Sequence, residues 1–213
     1  MLFHGYFRSS ASYRCRIAFG LKGLTPEFRG VHLRRAEQRL ESYLALNPQG
    51  LVPALEVEGH VLTQSLAIIE WLDEVFPEPP LLPKEARARA DVRAFAQAIA
   101  CDIHPLNNLR VLAYLKTPLG HGQEEVDQWY RHWCAEGLAP LEQIAVAHQA
   151  AGPYAFGETP SLADICLIPQ LANARRFGCD LTAYPRLTDI ESVCNALTAF
   201  AAAKPAQQPD AEA

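Results

Sequence analysis

The chain has 213 residues, a net charge of −5 and a hydrophobic fraction of 49% with 20% charged residues. This size allows one or two domains with a substantial core, and the composition excludes a mainly disordered protein. The acidic balance argues against a nucleic-acid-binding protein, which needs a basic face. No apolar run approaches the ~20 residues of a membrane helix, and Arg8, Arg14 and Arg16 interrupt any apolar core of a signal peptide. We therefore expect a soluble, cytoplasmic protein with neither nucleic acid nor a membrane as partner.

The first third of the chain alternates between strand and helix patterns. Strands are predicted from alternating apolar residues, and helices from apolar residues at helical spacing. In chain order these elements are a strand at Met1–Tyr6, a helix at Ser10–Leu21, a strand at Glu27–Leu33, a short helix at Glu37–Ala45, a hairpin at Pro53–Thr63 and a helix at Ser65–Val75. This order predicts an α/β thioredoxin-like domain with a mixed sheet.

A proline-rich seam then interrupts the pattern. Four prolines fall within Pro77–Pro83, and proline removes backbone donors and fixes φ, so this stretch is neither helix nor central strand. The amphipathic segments beyond it predict an all-α helix bundle; they are Ala86–His104, Asn107–Leu115, Glu124–Ile144 and Ser161–Phe177. We predict a domain at 1–76, a linker at 77–84 and a helical domain at 85–213. The tail from Ala201 onward is expected to fray.

The six cysteines, at positions 15, 101, 134, 166, 179 and 194, form no C-x-x-C pair. This spacing offers neither a zinc site nor a thioredoxin-type dithiol, and we predict no metal. Reduced, mostly buried thiols are the expectation. Any sulfur chemistry would therefore depend on a thiol supplied by another molecule.

Hydroxyl side chains mark the predicted junction of the first strand and the first helix. Ser9 and Ser10 lie beside the unpaired amides of a helix N-terminus, a position that favours an anion such as a thiolate. Lowering a thiol pKa of about 8.5 by two units corresponds to roughly 2.7 kcal/mol of stabilisation. Serine is also a common helix cap, and taken alone these residues favour that simpler role.

Two further segments suggest a binding groove. Pro53 opens a strand after a polar loop, so Val52–Pro53 is a candidate cis bond that would leave the Val52 backbone able to pair with an extended peptide. An ordinary trans proline is the alternative, which base rates favour. Gln64 and Ser65 precede an apolar helix, where Ser65 either caps the helix or binds a carboxylate. Together with the serine pair, these segments describe a groove for a short acidic peptide bearing a thiol.

Several motifs in register resemble zeta-class glutathione transferases, the maleylacetoacetate isomerase family. They cover nearly the whole chain and comprise Ser9–Ala18, Ala45–Leu55, Gln64–Glu70, Asp102–Leu109, Ser161–Gln170, Ala174–Phe177, Asp180–Pro185 and Gln208–Asp210. The resemblance implies a glutathione-transferase fold, glutathione as cofactor and a homodimer. One departure is Ala11, where the family often has cysteine, so no protein thiol can act at that position.

Carried over by position, the resemblance assigns residue roles. The thiol-activating serine falls on Ser9, with Ser10 beside it. The residues expected to contact glutathione are Ser9, Ser10, Gln38, Val52, Pro53, Gln64, Ser65, His104, Asn108, Leu109 and Arg110.

The family also implies the reaction, which is glutathione-dependent cis–trans isomerisation of maleylacetoacetate to fumarylacetoacetate in tyrosine degradation. A thiolate adds to the activated alkene, rotation follows, and elimination regenerates glutathione. Three alternatives stay open: isomerisation of maleylpyruvate from gentisate breakdown, conjugation of haloacids, and a non-catalytic binding module. The serine pair and the Gln64–Ser65 motif argue against the binding module.

Charged residues complete the sequence predictions. A dianionic substrate needs nearby cations, and the bidentate geometry of arginine suits a carboxylate. We predict that Arg8, directly before the serine pair, and Arg176 contact the substrate, although surface arginines are usually solvated. Ser161 and Asp164 have the spacing of a capping box, so we expect Asp164 to be structural.

Overall fold

The structure is a computed structural model and describes residues 1–212. It divides into two compact units. The first unit contains residues 1–81 together with 195–212, and the second contains residues 82–194. Among the described residues, no helix is both long and apolar enough to cross a membrane.

The first unit is built on a four-stranded mixed sheet, as predicted. Its elements are β1 (Leu2–Gly5), α1 (Ser10–Leu21), β2 (Glu27–Gly30), α2 (Glu41–Leu44), β3 (Ala54–Val57), β4 (His60–Thr63) and α3 (Ser65–Val75). The strand order is β2-β1-β3-β4, with β1 and β2 parallel and the other pairs antiparallel. The β3–β4 hairpin turns at Glu58 and Gly59, both with positive φ, which gives the turn the twist of the flanking strands.

Two elements are shorter than predicted. Strand β2 ends at Gly30 because the chain turns into two short 3₁₀ segments, and helix α2 begins only at Glu41. Leu40, between the second 3₁₀ segment and α2, has extended backbone angles (φ −65°, ψ 144°), which an α-helix cannot contain. The segment predicted as one helix from Glu37 is therefore divided.

Helices α1 and α3 bury their apolar faces in this unit. Ile17 and Ala18 of α1 are fully buried, as the helical spacing predicts. In α3 the buried apolar residues are Ile68, Ile69 and Leu72. The i, i+3, i+4, i+7 spacing of Ile68, Trp71, Leu72 and Val75 in the sequence predicts Val75 on this face as well. Val75 is instead 49% exposed, because it lies at the last turn of the helix.

The second unit is helical, as predicted. Its helices are α4 (Ala86–Gln97), α5 (His104–Leu106), α6 (Leu109–Lys116), α7 (Gln123–Ala147), α8 (Leu162–Arg176) and α9 (Pro185–Asn195). The predicted helix Ala86–His104 changes to π-helical geometry at Ala98–Ile103, a feature frequent at functional sites. Helix α8 is buried along most of its length.

The C-terminal segment does not fray, which corrects the prediction. Helix α10 (Thr198–Ala202) packs on α1, where a Cβ at Gly20 would lie 3.1 Å from Ala199. Asp210 accepts a hydrogen bond of 2.9 Å from the backbone N–H of Phe7. Residues 195–212 thus belong to the first unit, whereas the sequence placed them with the helical domain. Composition suggested disorder, but specific contacts to α1 and to the β1–α1 turn order the tail.

The start of α8 confirms the predicted capping box. Ser161 caps the helix, and the buried carboxylate of Asp164 accepts hydrogen bonds from the N–H of Ser161 (2.8 Å), the Ser161 hydroxyl (3.0 Å) and the N–H of Ala155 (2.9 Å). Asp164 therefore joins the loop before α8 to the first turn of the helix.

We predict that Asp164→Ala lowers the free energy of unfolding by about 2–5 kcal/mol, because two buried N–H groups lose their acceptor. Urea denaturation measures the change. Asp180→Ala is the control: this exposed carboxylate accepts from the Thr182 N–H, and its removal should lower stability by less than about 1 kcal/mol. Equal effects of the two substitutions would contradict the role given to Asp164.

Candidate functional site

The register of the sheet gathers three chain segments at one end of the first unit. His4 of β1 pairs with Ala54 of β3, and Ala54 pairs with Thr63 of β4. The residues after β1, before β3 and after β4 therefore leave the sheet at the same end. These are the segments that contain Ser9, Val52–Pro53 and Gln64–Ser65.

Ser9 is the N-cap of α1. Its Oγ accepts a hydrogen bond of 3.1 Å from the Ser12 N–H, which leaves the O–H able to donate to another acceptor. The side chain is half-buried, whereas Ser10 in the first turn is only 5% exposed. The first turn of α1 contains no acidic residue, so its amides keep their positive potential. Capping and anion binding are thus compatible at Ser9, and Ser9 is the more accessible of the two serines.

The loop before β3 is held by side chains on its inner side. Asn47 and Tyr43 both donate to the carbonyl of Leu51, at 2.8 and 2.7 Å. The Val52–Pro53 bond is cis, which confirms the prediction. Among residues 1–212, neither the N–H nor the C=O of Val52 makes a backbone hydrogen bond. Val52 can therefore pair with an extended peptide.

Gln64 links this loop to the start of α3. Its φ of 68° is unusual for a residue with a side chain and stores strain of about 1–3 kcal/mol, which is typical of functional sites. The Gln64 Nε2 donates to Oε1 of Gln49 at 3.0 Å. Ser65, the next residue, is 7% exposed and stands at the helix N-terminus.

A buried guanidinium lies behind Ser65. Arg14 is only 1% exposed, and its Nη1 donates to Ser65 Oγ at 3.3 Å. Because the Ser65 oxygen accepts this bond, the Ser65 hydroxyl is left to act as a donor. The positive charge and the α3 amides both favour an anion at this position.

Gln38 lies beside the same loop. It belongs to a 3₁₀ turn at Glu37–Arg39, and its backbone carbonyl is 3.0 Å from the position of a Cβ on Gly50. The Gln38 Oε1 is buried and has no hydrogen-bond partner among the described residues. The structure thus brings Gln38, Val52 and Gln64 to neighbouring loops of the first unit.

The other predicted contacts belong to the second unit. His104 opens the short helix α5 after the π-helical segment, and Nδ2 of Asn108 lies 3.5 Å from His104 Nε2. Asn108 also caps α6 by accepting from the Arg110 N–H at 3.1 Å. Leu109 and Arg110 are exposed. Leu109 lines a groove of about 270 Å³ together with Phe177.

The two predicted substrate arginines are both exposed. The Arg8 guanidinium lies 5.0 Å from the ring centre of Phe7, and that of Arg176 lies 4.9 Å from the ring centre of Phe177. Arg175 pairs instead with Glu191. Phe177 lines the groove that also contains Leu109, and the Arg176 guanidinium lies over the Phe177 ring.

Comparison with known proteins identifies the family. Residues 8–75 match the N-terminal domain and residues 127–203 the C-terminal domain of glutathione S-transferase. The chain is 48% identical to the maleylacetoacetate isomerase of Pseudomonas aeruginosa, over 100% of both chains. It is 45% identical to a maleylpyruvate isomerase of a Ralstonia species, over 99% of both.

Comparison with solved structures supports the same family. A bacterial maleylpyruvate isomerase, a zeta-class glutathione S-transferase in its holo form, matches with a TM-score of 0.98 at 45% identity over 100% of both chains. The maleylacetoacetate isomerase of Methylobacterium extorquens AM1 with bound malonate and glutathione matches with a TM-score of 0.96 at 41% identity, also over 100% of both. The chain is a zeta-class glutathione transferase. This confirms the resemblance and the fold class predicted from the sequence.

In this glutathione transferase, sequence reasoning missed three charged residues around the site, of which Arg14 and Arg16 are buried and Asp210 is half-buried. Arg14 contacts Ser65, Arg16 donates to the carbonyls of the β1–α1 turn, and Asp210 accepts from the N–H of Phe7 in that turn. Arg14 and Arg16 lie within the motif Ser9–Ala18, but in the sequence they signal only charges that interrupt an apolar run. The third closes the Gln208–Asp210 motif, whose partner is about 200 residues away in the chain, so no local pattern signals the contact.

Proposed function

We propose that this protein is a glutathione-dependent enzyme that isomerises the cis double bond of a maleyl-type dicarboxylate, with maleylacetoacetate as substrate and fumarylacetoacetate as product. The observation that carries the proposal is the convergence of Ser9, Val52 and Ser65 at one end of the sheet. Relatives with this fold are maleylacetoacetate and maleylpyruvate isomerases, and one is described with bound glutathione.

Glutathione fits the chemistry of the first unit. Its cysteinyl backbone pairs with the N–H and C=O of Val52, beside the cis Pro53. Its γ-glutamyl carboxylate accepts from the Ser65 hydroxyl and the α3 amides, with Gln38 and Gln64 on the flanking loops. From the second unit we propose contacts by His104 and by the Asn108–Arg110 stretch.

The thiol of glutathione lies at the start of α1 in this proposal. The Ser9 hydroxyl accepts from Ser12 and donates its hydrogen to the sulfur. Together with the unneutralised helix N-terminus, this bond stabilises the thiolate over the thiol and lowers its pKa. Ser10 supports the same turn from its buried position.

Isomerisation then follows from reversible addition. The thiolate forms a C–S bond to one alkene carbon, and the electron pair of the double bond moves onto the conjugated carbonyl as an enolate. The former double bond is now single and rotates. Collapse of the enolate reforms the double bond in the trans geometry and expels the thiolate, so glutathione is unchanged.

The decisive experiment follows the loss of the cis substrate's absorbance with maleylacetoacetate and with maleylpyruvate, each with and without glutathione. We expect conversion only with glutathione and a higher kcat/KM for maleylacetoacetate. Maleylpyruvate is the second candidate, supported by the Ralstonia relative at 45% identity. Binding of glutathione with conversion of neither substrate would instead indicate a binding module.

We also propose that the enzyme acts in the cytoplasm as a homodimer, as its family implies. The cysteines form no disulfide among residues 1–212, which suits a reducing compartment. Sedimentation analysis of the purified protein tests the oligomeric state.

Ser9→Ala should raise the pKa of the bound glutathione thiol and lower turnover roughly ten- to hundredfold, because a hydrogen bond to a charged group contributes about 1.5–3 kcal/mol. An ultraviolet titration of the thiolate measures the pKa. Ser9→Thr keeps both the cap and the hydroxyl and should retain most of the activity. If Ser10→Ala has the larger effect on the thiol pKa, the activating role belongs to Ser10.

Arg8→Lys and Arg176→Lys should each raise the KM for the dicarboxylate about tenfold, because lysine cannot make the two parallel bonds of a guanidinium to a carboxylate. The affinity for glutathione should change little. Arg175→Lys is the matched control, since Arg175 is also exposed at the end of α8 but pairs with Glu191. An unchanged KM removes the substituted arginine from the substrate site.

A further inference from the structure

The turn that presents Ser9 is short and hydrogen-bonded from within. The Ser9 N–H donates to the carbonyl of Tyr6 at 3.0 Å, which closes the turn Tyr6–Ser9. The Tyr6 N–H donates to Ser12 Oγ at 3.3 Å. Phe7 is buried, whereas Arg8 is exposed and Ser9 is half-buried. Side chains that hold the Phe7 backbone therefore also hold Arg8, proposed to contact the substrate, and Ser9, proposed to contact the thiol.

Arg16 holds the carbonyl side of this turn. Its Nη2 donates to the Phe7 carbonyl at 3.1 Å and its Nη1 to the Tyr6 carbonyl at 3.4 Å, while its Nε donates to the carbonyl of Ala203 at 3.0 Å. Burial lowers the pKa of the Arg16 guanidinium to about 10, and the Asp210 carboxylate opposes that change. Arg16 is thus positively charged at neutral pH and connects the turn to the C-terminal segment.

Asp210 holds the amide side of the same turn. Its Oδ2 accepts from the Phe7 N–H at 2.9 Å, and the side chain lies against Gly30, where a Cβ would be 3.4 Å from Asp210 Cβ. A carboxylate accepting from an amide makes a stronger bond than a neutral acceptor. The peptide groups on both sides of Phe7 are therefore bound by charged side chains, one from α1 and one from the chain's C-terminal end.

The C-terminal segment is fixed on both sides of Asp210. Before it, Gln208 Nε2 donates to the carbonyls of Ala202 and Lys204, both at 2.9 Å. After it, Oε1 of Glu212 binds His32 at 2.8 Å and Arg35 at 3.1 Å. Asp210 is thus presented to the turn by a segment with its own anchors.

We propose that Asp210 is a positioning residue for the Ser9 hydroxyl, and this role rests on the function proposed above. Its carboxylate fixes the Phe7 amide, which sets the Tyr6–Ser9 turn and hence the direction in which Ser9 donates to the thiolate. Asp210, far from the turn in sequence, then acts on Ser9 through the Phe7 amide.

The test compares Asp210→Ala with Asp210→Asn in the full chain. Asp210→Ala removes the acceptor and should raise the thiol pKa of bound glutathione by about one unit and lower kcat about tenfold, with the KM for the dicarboxylate within about twofold. Asp210→Asn retains a side-chain oxygen for the Phe7 N–H. Its thiol pKa and kcat should therefore lie close to those of the wild type. If the negative charge acted directly on the thiolate, both substitutions would lower the thiol pKa, which would overturn the proposal.

Glu212→Ala is the matched control, because Glu212 anchors the same segment but contacts His32 and Arg35 rather than the turn. It should leave the thiol pKa and kcat unchanged, whatever its effect on thermal stability. If Asp210→Ala lowers stability yet leaves the thiol pKa and kcat at wild-type values, the contact only stabilises the fold and the proposal is wrong.

Hydrogen exchange separates this inference from the proposed function, because it needs no ligand. In the protein without glutathione, Asp210→Ala should increase the exchange rates of the Phe7 and Ser9 amides at least about tenfold relative to those of α3. Faster exchange in a protein without isomerase activity would support the positioning contact and reject the proposed function. Unchanged exchange in an active enzyme would overturn the positioning role alone.

Discussion

The pairing of β3 between β1 and β4 decides where the chemistry of the first unit lies. Since Ala54 faces both His4 and Thr63, three connections leave the sheet at one end. Each of them carries a group with hydrogen-bonding capacity that does not depend on a large side chain: the Ser9 hydroxyl, the Val52 backbone or the N-terminus of α3. A one-residue shift of β3 would reverse its buried and exposed faces. The hydrophobic core and the binding groups are therefore specified by the same register.

Although the protein is acidic overall, two arginines of α1 place positive charge next to the candidate site. Arg14 and Arg16 lie two residues apart on α1, are 1% and 9% exposed, and each donates to a group of the site. Burying a guanidinium is unfavourable unless its donors are bonded. Arg16 satisfies its donors with three carbonyls. Arg14 donates to Ser65 through Nη1 only, and its buried Nε and Nη2 have no hydrogen-bond partner among the described residues. The net charge of −5 therefore says little about the potential that an anionic cofactor meets.

Sequence patterns predicted the features that depend on local composition. The spacing of Ser161 and Asp164 predicted the capping box, and alternating residues predicted the β3–β4 hairpin. A proline after a polar loop marked Val52–Pro53 as a candidate cis bond, although base rates favour the trans form. Sequence patterns could not predict features that depend on contacts between residues far apart in the chain. The tail was expected to fray because its Ala and Pro residues say nothing of the Phe7 amide that Asp210 binds.

The site residues likewise include some that local sequence predicts and others that it does not. Ser9 and Ser65 could be placed because a hydroxyl at a helix start has a local meaning. Arg14 could not, since its importance comes from burial behind Ser65, 51 residues further along the chain. The left-handed backbone of Gln64 was likewise not predictable, because the side chain gives no sign of a positive φ.

The cysteines on and near α1 bear on the proposal that the thiol is supplied by glutathione. Burial raises the pKa of Cys194, which keeps that sulfur protonated and unreactive at neutral pH. Cys15 lies on α1 itself but is fully buried, and position 11, closest to the serine pair, is alanine. None of these supplies an accessible thiolate at the start of α1. What the chain does supply there is donors: the Ser9 hydroxyl and the amides of a helix without acidic residues in its first turn. Donors without a protein nucleophile suit a diffusible thiol that arrives protonated, is stabilised as an anion where it binds, and leaves unchanged.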